Sequence, residues 1–174
     1  MPNWCNNRVT IRAGKETREK IKEFLCGMQY YRPFSPTGDT PLIGHETKFS
    51  FHNVVPQPDE LLDQEDPRRK TNVPSRKDNE INGSMPEWYN WRVDNWGTKW
   101  DVSDVWMGES KVSLTYSFET AWSPPERVIR ALSERFPNAS ITLSYHEPGC
   151  GYKGSITFKE GDVVRVTGDA DVTV

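Results

Sequence analysis

Residues 87–100, EWYNWRVDNWGTKW, set four tryptophans and a tyrosine among two cations and two acids. Side chains of these types support two chemistries. Indole rings exposed beside guanidinium and ammonium groups make a surface on which bases or other planar ligands stack, each stacked base contributing about 1–3 kcal/mol. On that reading the binding residues are Trp88, Trp91, Arg92, Trp96, Lys99 and Trp100. The same residues also fit the spacing of a helix: Trp88, Trp91 or Arg92, Asn95 and Trp96 share one face, and Tyr89, Val93, Trp96 and Trp100 share another. A wide aromatic face of this kind ordinarily packs into a core, with Asp94, Asp101 and Asn90 available as partners for the indole N–H groups.

A second cluster is HEPGCGYKG, residues 146–154, where two glycines flank Cys150 and His146 and Glu147 lie just upstream. A histidine-activated thiolate can be drawn from these residues. Such pairs usually come from distant segments, however, and Gly149, Gly151 and Gly154 suit a turn or bulge between two strands. The three histidines, 45, 52 and 146, are far apart, and the three cysteines, 5, 26 and 150, include no CxxC pair. The sequence therefore predicts no metal site, and reduced thiols. No phosphate-binding glycine loop, nucleophile elbow or dinucleotide fingerprint occurs. No catalytic residue and no cofactor is expected.

The elements that must carry these residues can be read from periodicity. Val9 and Ile11 alternate with Arg8, Thr10 and Arg12 in a half-buried strand, and the stripe Ile21, Phe24, Leu25 and Met28 predicts a helix after Gly14, weakened at Gly27. Phe49, Phe51 and Asn53 fall on one side of a predicted second strand that Pro56 ends. Val112, Leu114, Tyr116 and Phe118 give the clearest strand. Ser123, Pro124 and Glu126 then form a capping box for a helix with the stripe Val128, Ile129, Leu132 and Phe136, stopped by Pro137-Asn138. Three short strands close the chain: Ile141, Leu143 and Tyr145; Ile156 and Phe158; Val164 and Val166, the last two joined at Gly161-Asp162. Residues 57–85 are charged at twelve of 29 positions, with Leu61-Leu62 as their apolar pair. They predict a mobile, solvated insertion with one helical turn at DELL.

This order of elements predicts an α+β, ferredoxin-like split βαβ fold. It has a mainly antiparallel sheet, two helices on one face, the long charged insertion and a C-terminal hairpin, in a single domain spanning 1–174. With 174 residues one core is the default, and although hydrophobic residues reach only 34%, aromatics at 11% supply bulk. A net charge of -3 and a pI near 5.7 argue against binding dominated by phosphate neutralisation, while leaving room for a local basic patch. No signal-peptide pattern or membrane-length apolar run occurs, so a cytoplasmic protein without membrane contact is expected.

With the elements placed, five phrases in order, MPNWCNNRVTI, FHNVVPQPDEL, WYNWRVDNWGTKWD, FETAWSPP and YHEPGCGYKG, resemble the YubB-like family of phage-, prophage- and plasmid-borne proteins. The likeness spans Met1 to about Gly154. It implies a ferredoxin-like domain in the C-terminal part and a mobile-element origin, and it carries no catalytic residue over to this chain. The expected function is a non-catalytic binding protein engaging a host macromolecule, a host protein first. The alternatives are a single-stranded nucleic-acid binder using Trp88–Trp100 and an enzyme centred on Cys150.

Overall fold

A computed structural model describes residues 3–31, 43–62, 85, 87–102 and 104–168. The charged stretch at 57–85 lies mostly outside the described residues. Of it the structure describes the entry through α3 (Asp59–Leu62), which is the turn at DELL, and Met85.

The main sheet has six strands, all pairing antiparallel, in the order β4 (Trp106–Glu109), β5 (Ser113–Ala121), β1 (Trp4–Arg12), β6 (Ser140–Glu147), β7 (Tyr152–Lys159) and β8 (Asp162–Gly168). Helices α1 (Lys15–Leu25) and α5 (Glu126–Arg135) complete the split βαβ core: β1, α1, the β4–β5 hairpin, α5 and β6, with β7–β8 added beyond β6. The fold is thus ferredoxin-like, α+β and antiparallel. Period-two alternation gives β1, β5, β6 and β7 an inward and an outward set. Val9, Ile11, Leu114, Tyr116, Phe118, Ile141, Leu143, Ile156 and Phe158 point inward and are buried against Ile21 and Leu25 of α1 and Val128, Ile129 and Leu132 of α5.

Between α1 and β4 the chain makes a long detour that itself packs on the core. Strands β2 (Gly27–Tyr31) and β3 (Ile43–Thr47) pair in a separate two-stranded sheet. The predicted strand at Phe49–Asn53 is instead a short helix, α2 (Phe51–Val54). Phe49 and Phe51 are both buried, as an alternating pattern requires, but capping decides the backbone. Ser50 Oγ accepts from Asn53 N, and the Asp101 carboxylate accepts from Phe51 N, His52 N and Ser50 Oγ, satisfying the free donors of the first turn. Burial pushes the Asp101 carboxyl above its ordinary pKa, with those donors working the other way. The ferredoxin-like second strand is β4, which the sequence reading did not find.

The aromatic stretch forms α4 (Glu87–Trp96), which contacts α5. Phe49 packs on Tyr116 and Phe118 at ring separations of 5.2 and 5.3 Å, and Phe51 meets Trp96 at 5.9 Å, so the detour plugs one end of the core with rings. Gly27 is required where this detour leaves α1: a Cβ there would lie 2.8 Å from Asn53 Nδ2, which donates to the carbonyls of Phe24 and Cys26.

Two helix boundaries differ from the sequence reading. Helix α1 ends at Leu25, so Met28 falls on β2 and is exposed. Helix α5 starts at Glu126 with Pro125 at its N-cap and no capping side chain, while Ser123 Oγ donates to the Gly97 carbonyl. Consecutive prolines explain this, because a residue preceding proline is pushed out of the helical region and neither Ser123 nor Pro124 can open the helix. The last hairpin turns at Glu160-Gly161, one residue earlier than expected, with φ positive at both residues as a type I′ turn requires.

Candidate functional site at the tryptophan-lined end of the sheet

Helix α4 splits the six residues proposed from sequence into two groups. Trp96 is buried in the core and its Nε1 donates to the Val55 carbonyl at 2.9 Å. Arg92 is also buried, its guanidinium lying 5.2 Å from the Trp88 ring and 4.9 Å from the Trp96 ring, and its Nε donates to Gln57 Oε1 at 2.7 Å. Trp91 is half-buried with its ring edge-on to Trp96 at 5.7 Å, and Trp88 is half-buried beside Tyr89. The expected aromatic core face is therefore confined to Trp96 with Trp91 against it; Val93 is exposed. The carboxylate expected to serve the indoles, Asp101, caps α2, and it is a backbone carbonyl that serves Trp96.

Lys99 and Trp100 belong to a different cluster. Gly97 ends α4 at φ +79°, and the chain turns so that Trp100 stacks on Trp122 (6.4 Å, 21° between planes) and lies 6.2 Å from Trp4. Lys99 Nζ sits 4.4 Å from the Trp100 centroid, 5.7 Å from Trp122 and 5.6 Å from Tyr89. Trp4 and Trp122 are 44% and 42% exposed, so this cation-bearing stack faces solvent. Trp122 holds φ at +66°, a left-handed conformation that is strained for a bulky side chain. It is kept there from both sides: its N–H donates to the Asn3 carbonyl, and its carbonyl accepts from Tyr152 Oη.

Polar groups beneath the stack tie the start of β1 to the end of β5 and close the β6–β7 turn. Asn7 Nδ2 donates to Thr120 Oγ1 and to the Cys5 carbonyl, and Thr120 Oγ1 donates to the Ser123 carbonyl. Glu147, almost wholly buried, closes the β6–β7 turn by accepting from Gly149 N and Cys150 N. The glycine-rich phrase is thus a hairpin turn. Burial opposes ionisation of Glu147, but those two N–H groups hold its carboxyl below the usual range.

The same geometry bears on Cys150. Its thiol is exposed, and its hydrogen bond to the Glu147 carboxylate, reinforced by that negative charge, raises its pKa, whereas a nucleophilic cysteine needs a lowered one. Burial pushes the Cys5 thiol up to about 11. Removing the charge with Glu147→Gln is expected to lower the Cys150 pKa and speed its alkylation by iodoacetamide severalfold at a fixed mildly alkaline pH. The measurement is made in a Cys26→Ser background, and an unchanged or slower rate would contradict the assignment.

Sequence reasoning missed Trp4, Trp106 and Trp122. The signal for Trp4 was the outward phase of β1, which Trp4 shares with Asn6, Arg8, Thr10 and Arg12. Trp106 is 60% exposed on β4 and lies flat on the sheet, since a Cβ on Gly108 would sit 2.5 Å from its ring. A groove runs from Trp106 past Ser117, Arg8 and Ser144 to Trp4 and His146. Among the described residues no three His, Cys, Asp or Glu side chains gather as a metal site, and no helix is long and apolar enough to cross a membrane.

Residues 95–172 match the family described as the ferredoxin-like domain in Api92-like protein. Over 106 residues the chain is 32% identical to the uncharacterized protein YubB of Escherichia coli (strain K12), covering 53% of this chain and 70% of YubB. The crystal structure of a protein api92 from Yersinia pseudotuberculosis superposes over 100% of both chains with a TM-score of 0.58 and 11% identity, a likeness of fold.

Proposed function

Because this chain belongs to the YubB-like family, with its Api92-like ferredoxin-like domain, we propose that it is a non-catalytic binding protein that engages a host macromolecule through the sheet face opposite its helices. The carrying observation is the one-sided packing of the sheet. Among the described residues α1, α5 and the buried rings Phe49, Phe51 and Trp96 pack on one face, while the other presents exposed Trp106, Arg8 and Trp4 along one groove, with Trp100 bordering it at the Trp4 end. Exposed tryptophan and arginine are the side chains most enriched where binding energy concentrates. The raised thiol of Cys150 supports a binder over a thiol enzyme. The reading includes a mobile-element accessory role, which the family resemblance suggests, and a cytoplasmic setting, which three free cysteines suit.

The test is site-directed photocrosslinking in a bacterial lysate, with p-benzoylphenylalanine at position 106 and, separately, at Lys20 on the helix side. The expected result is an adduct from position 106 that excess unlabelled protein competes away and that position 20 does not give. Equal adducts from both positions, or none from 106, would overturn the reading.

A further inference from the structure

The outward face of the sheet can be read row by row from the strand register. One row crosses all six strands as Trp106, Ser117, Arg8, Ser144, Ser155 and Thr167. The next runs Gly108, Thr115, Thr10, Thr142, Thr157 and Arg165. Below it Arg12 lies between Ser113 and Ser140, and above it Glu119, Asn6, His146 and Lys153 line up. The floor is therefore short hydroxyl side chains, flat and able to donate or accept, with an arginine near its middle.

The charge of this face is opposite in sign to that of the chain. Arg8, Arg12, Lys153, Lys159 and Arg165 point outward against Glu119 and Asp162, with Asp104 and Glu119 lining the groove beside Arg8, in a protein of net charge -3. None of Arg8, Arg12, Lys153 and Arg165 is engaged in an ion pair among the described residues. These cations thus stand in register among hydroxyl residues, with no carboxylate at ion-pair distance among the described residues. Two large rings border them: Trp106, one face laid on the strand and the other toward solvent, and Trp4 at the far end of the groove, continuous with the Trp100–Trp122 stack.

Taken with the binding role proposed above, on which this step rests, we infer that the occupant of the open face is single-stranded nucleic acid, its bases stacked on Trp106 and Trp4 and its phosphates held by Arg8, Arg12, Lys153 and Arg165. Charge complementarity selects a polyanion. Flat rings with a free face select an unpaired strand, because duplex bases are already stacked on one another. Arg8 lies two strand spacings, about 10 Å, from Trp106, so one strand can reach both.

The experiment is a fluorescence-anisotropy titration of labelled oligo(dT) and oligo(U) with the full chain at two salt concentrations, beside a duplex of equal length. Four neutralised phosphates on a single strand give a salt slope near -2.8, so a fourfold rise in salt is expected to weaken binding about 50-fold. Arg8→Ala should lower the slope by about 0.7. Trp106→Ala should weaken binding about tenfold while the fold, which exposes this ring, is unchanged. Lys15→Glu and Lys20→Glu on the helix side should leave binding as it was, and the duplex should bind more weakly than either single strand. The inference is overturned if neither oligonucleotide binds, if the duplex binds as well as the single strands, or if Arg8→Ala and Trp106→Ala have no effect. An oligonucleotide failure accompanied by a protein adduct from position 106 would overturn the nucleic-acid occupant and leave the broader binding role standing; failure of both would overturn both.

Discussion

Replacing Trp96 with alanine is expected to destabilise the protein by about 4 kcal/mol, the upper range for deleting a large buried ring. Trp96 is fully enclosed, edge-on to Phe51 and Trp91, and its indole N–H is the donor to the Val55 carbonyl. It also forms one of the two walls around the Arg92 guanidinium, so alanine leaves a buried cation facing a void. For a domain of this length the melting temperature should fall by roughly 10 °C. Trp96→Phe keeps a ring but leaves the Val55 carbonyl without its donor, and should cost about 1–2 kcal/mol. Urea denaturation followed by circular dichroism gives both values. A loss below about 1 kcal/mol for the alanine variant would mean that α4 does not seal this end of the core.

Asp101→Ala should come next, at about 3 kcal/mol. The carboxylate receives hydrogen bonds from Phe51 N, His52 N, Val102 N and Ser50 Oγ, linking α2 to the segment that follows α4. Truncation leaves these donors without an acceptor in an enclosed place, and each unsatisfied buried group costs about 1–3 kcal/mol before relaxation. Asp101→Asn retains one acceptor oxygen but turns an amide donor toward the others, so roughly half the loss should remain. Since α2 carries Phe51 into the core, hydrogen exchange should quicken first at Phe51–Val54 in the alanine variant, ahead of β1 and β6. Uniform exchange across the whole sheet would place the capping contact outside the local unit.

These two residues also mark the limit of what periodicity reveals. Val9 and Ile11 in β1, Leu114 to Phe118 in β5, the stripe of α5 and strands β6 and β7 follow the sequence reading because each element buries one face, and a buried face writes its period directly into residue type. In β8 the expected pair is broken: Val164 is exposed and Val163 packs on the core with Val166, because a bulge at Thr157/Phe158 shifts the register. The detour between α1 and β4 escaped because its conformation is set by distant partners. Phe49 and Phe51 alternate like a strand, and only the carboxylate of Asp101, fifty residues further on, makes the intervening backbone turn into α2. Strand β4 was hidden for another reason: as a short edge strand with Trp106 outward and Glu109 taken by Lys22, it lacks any hydrophobic alternation.

The amino-acid order by itself determined a sheet sealed on one side by two amphipathic helices, the glycine turn around Cys150, and a dense aromatic segment of interest. Which tryptophans face solvent and which pack inside was decided only in three dimensions, since both kinds share one helical spacing while burial depends on what the rest of the chain brings against each ring. Trp96 went inward because Phe51 and Val55 meet it. Trp100 was drawn to a solvent-facing stack with Trp4 and Trp122, residues 96 and 22 positions away. The cationic character of the open face was equally invisible in a net charge of -3, because the register that lines Arg8, Arg165 and Lys153 on one surface exists only once the strands have paired.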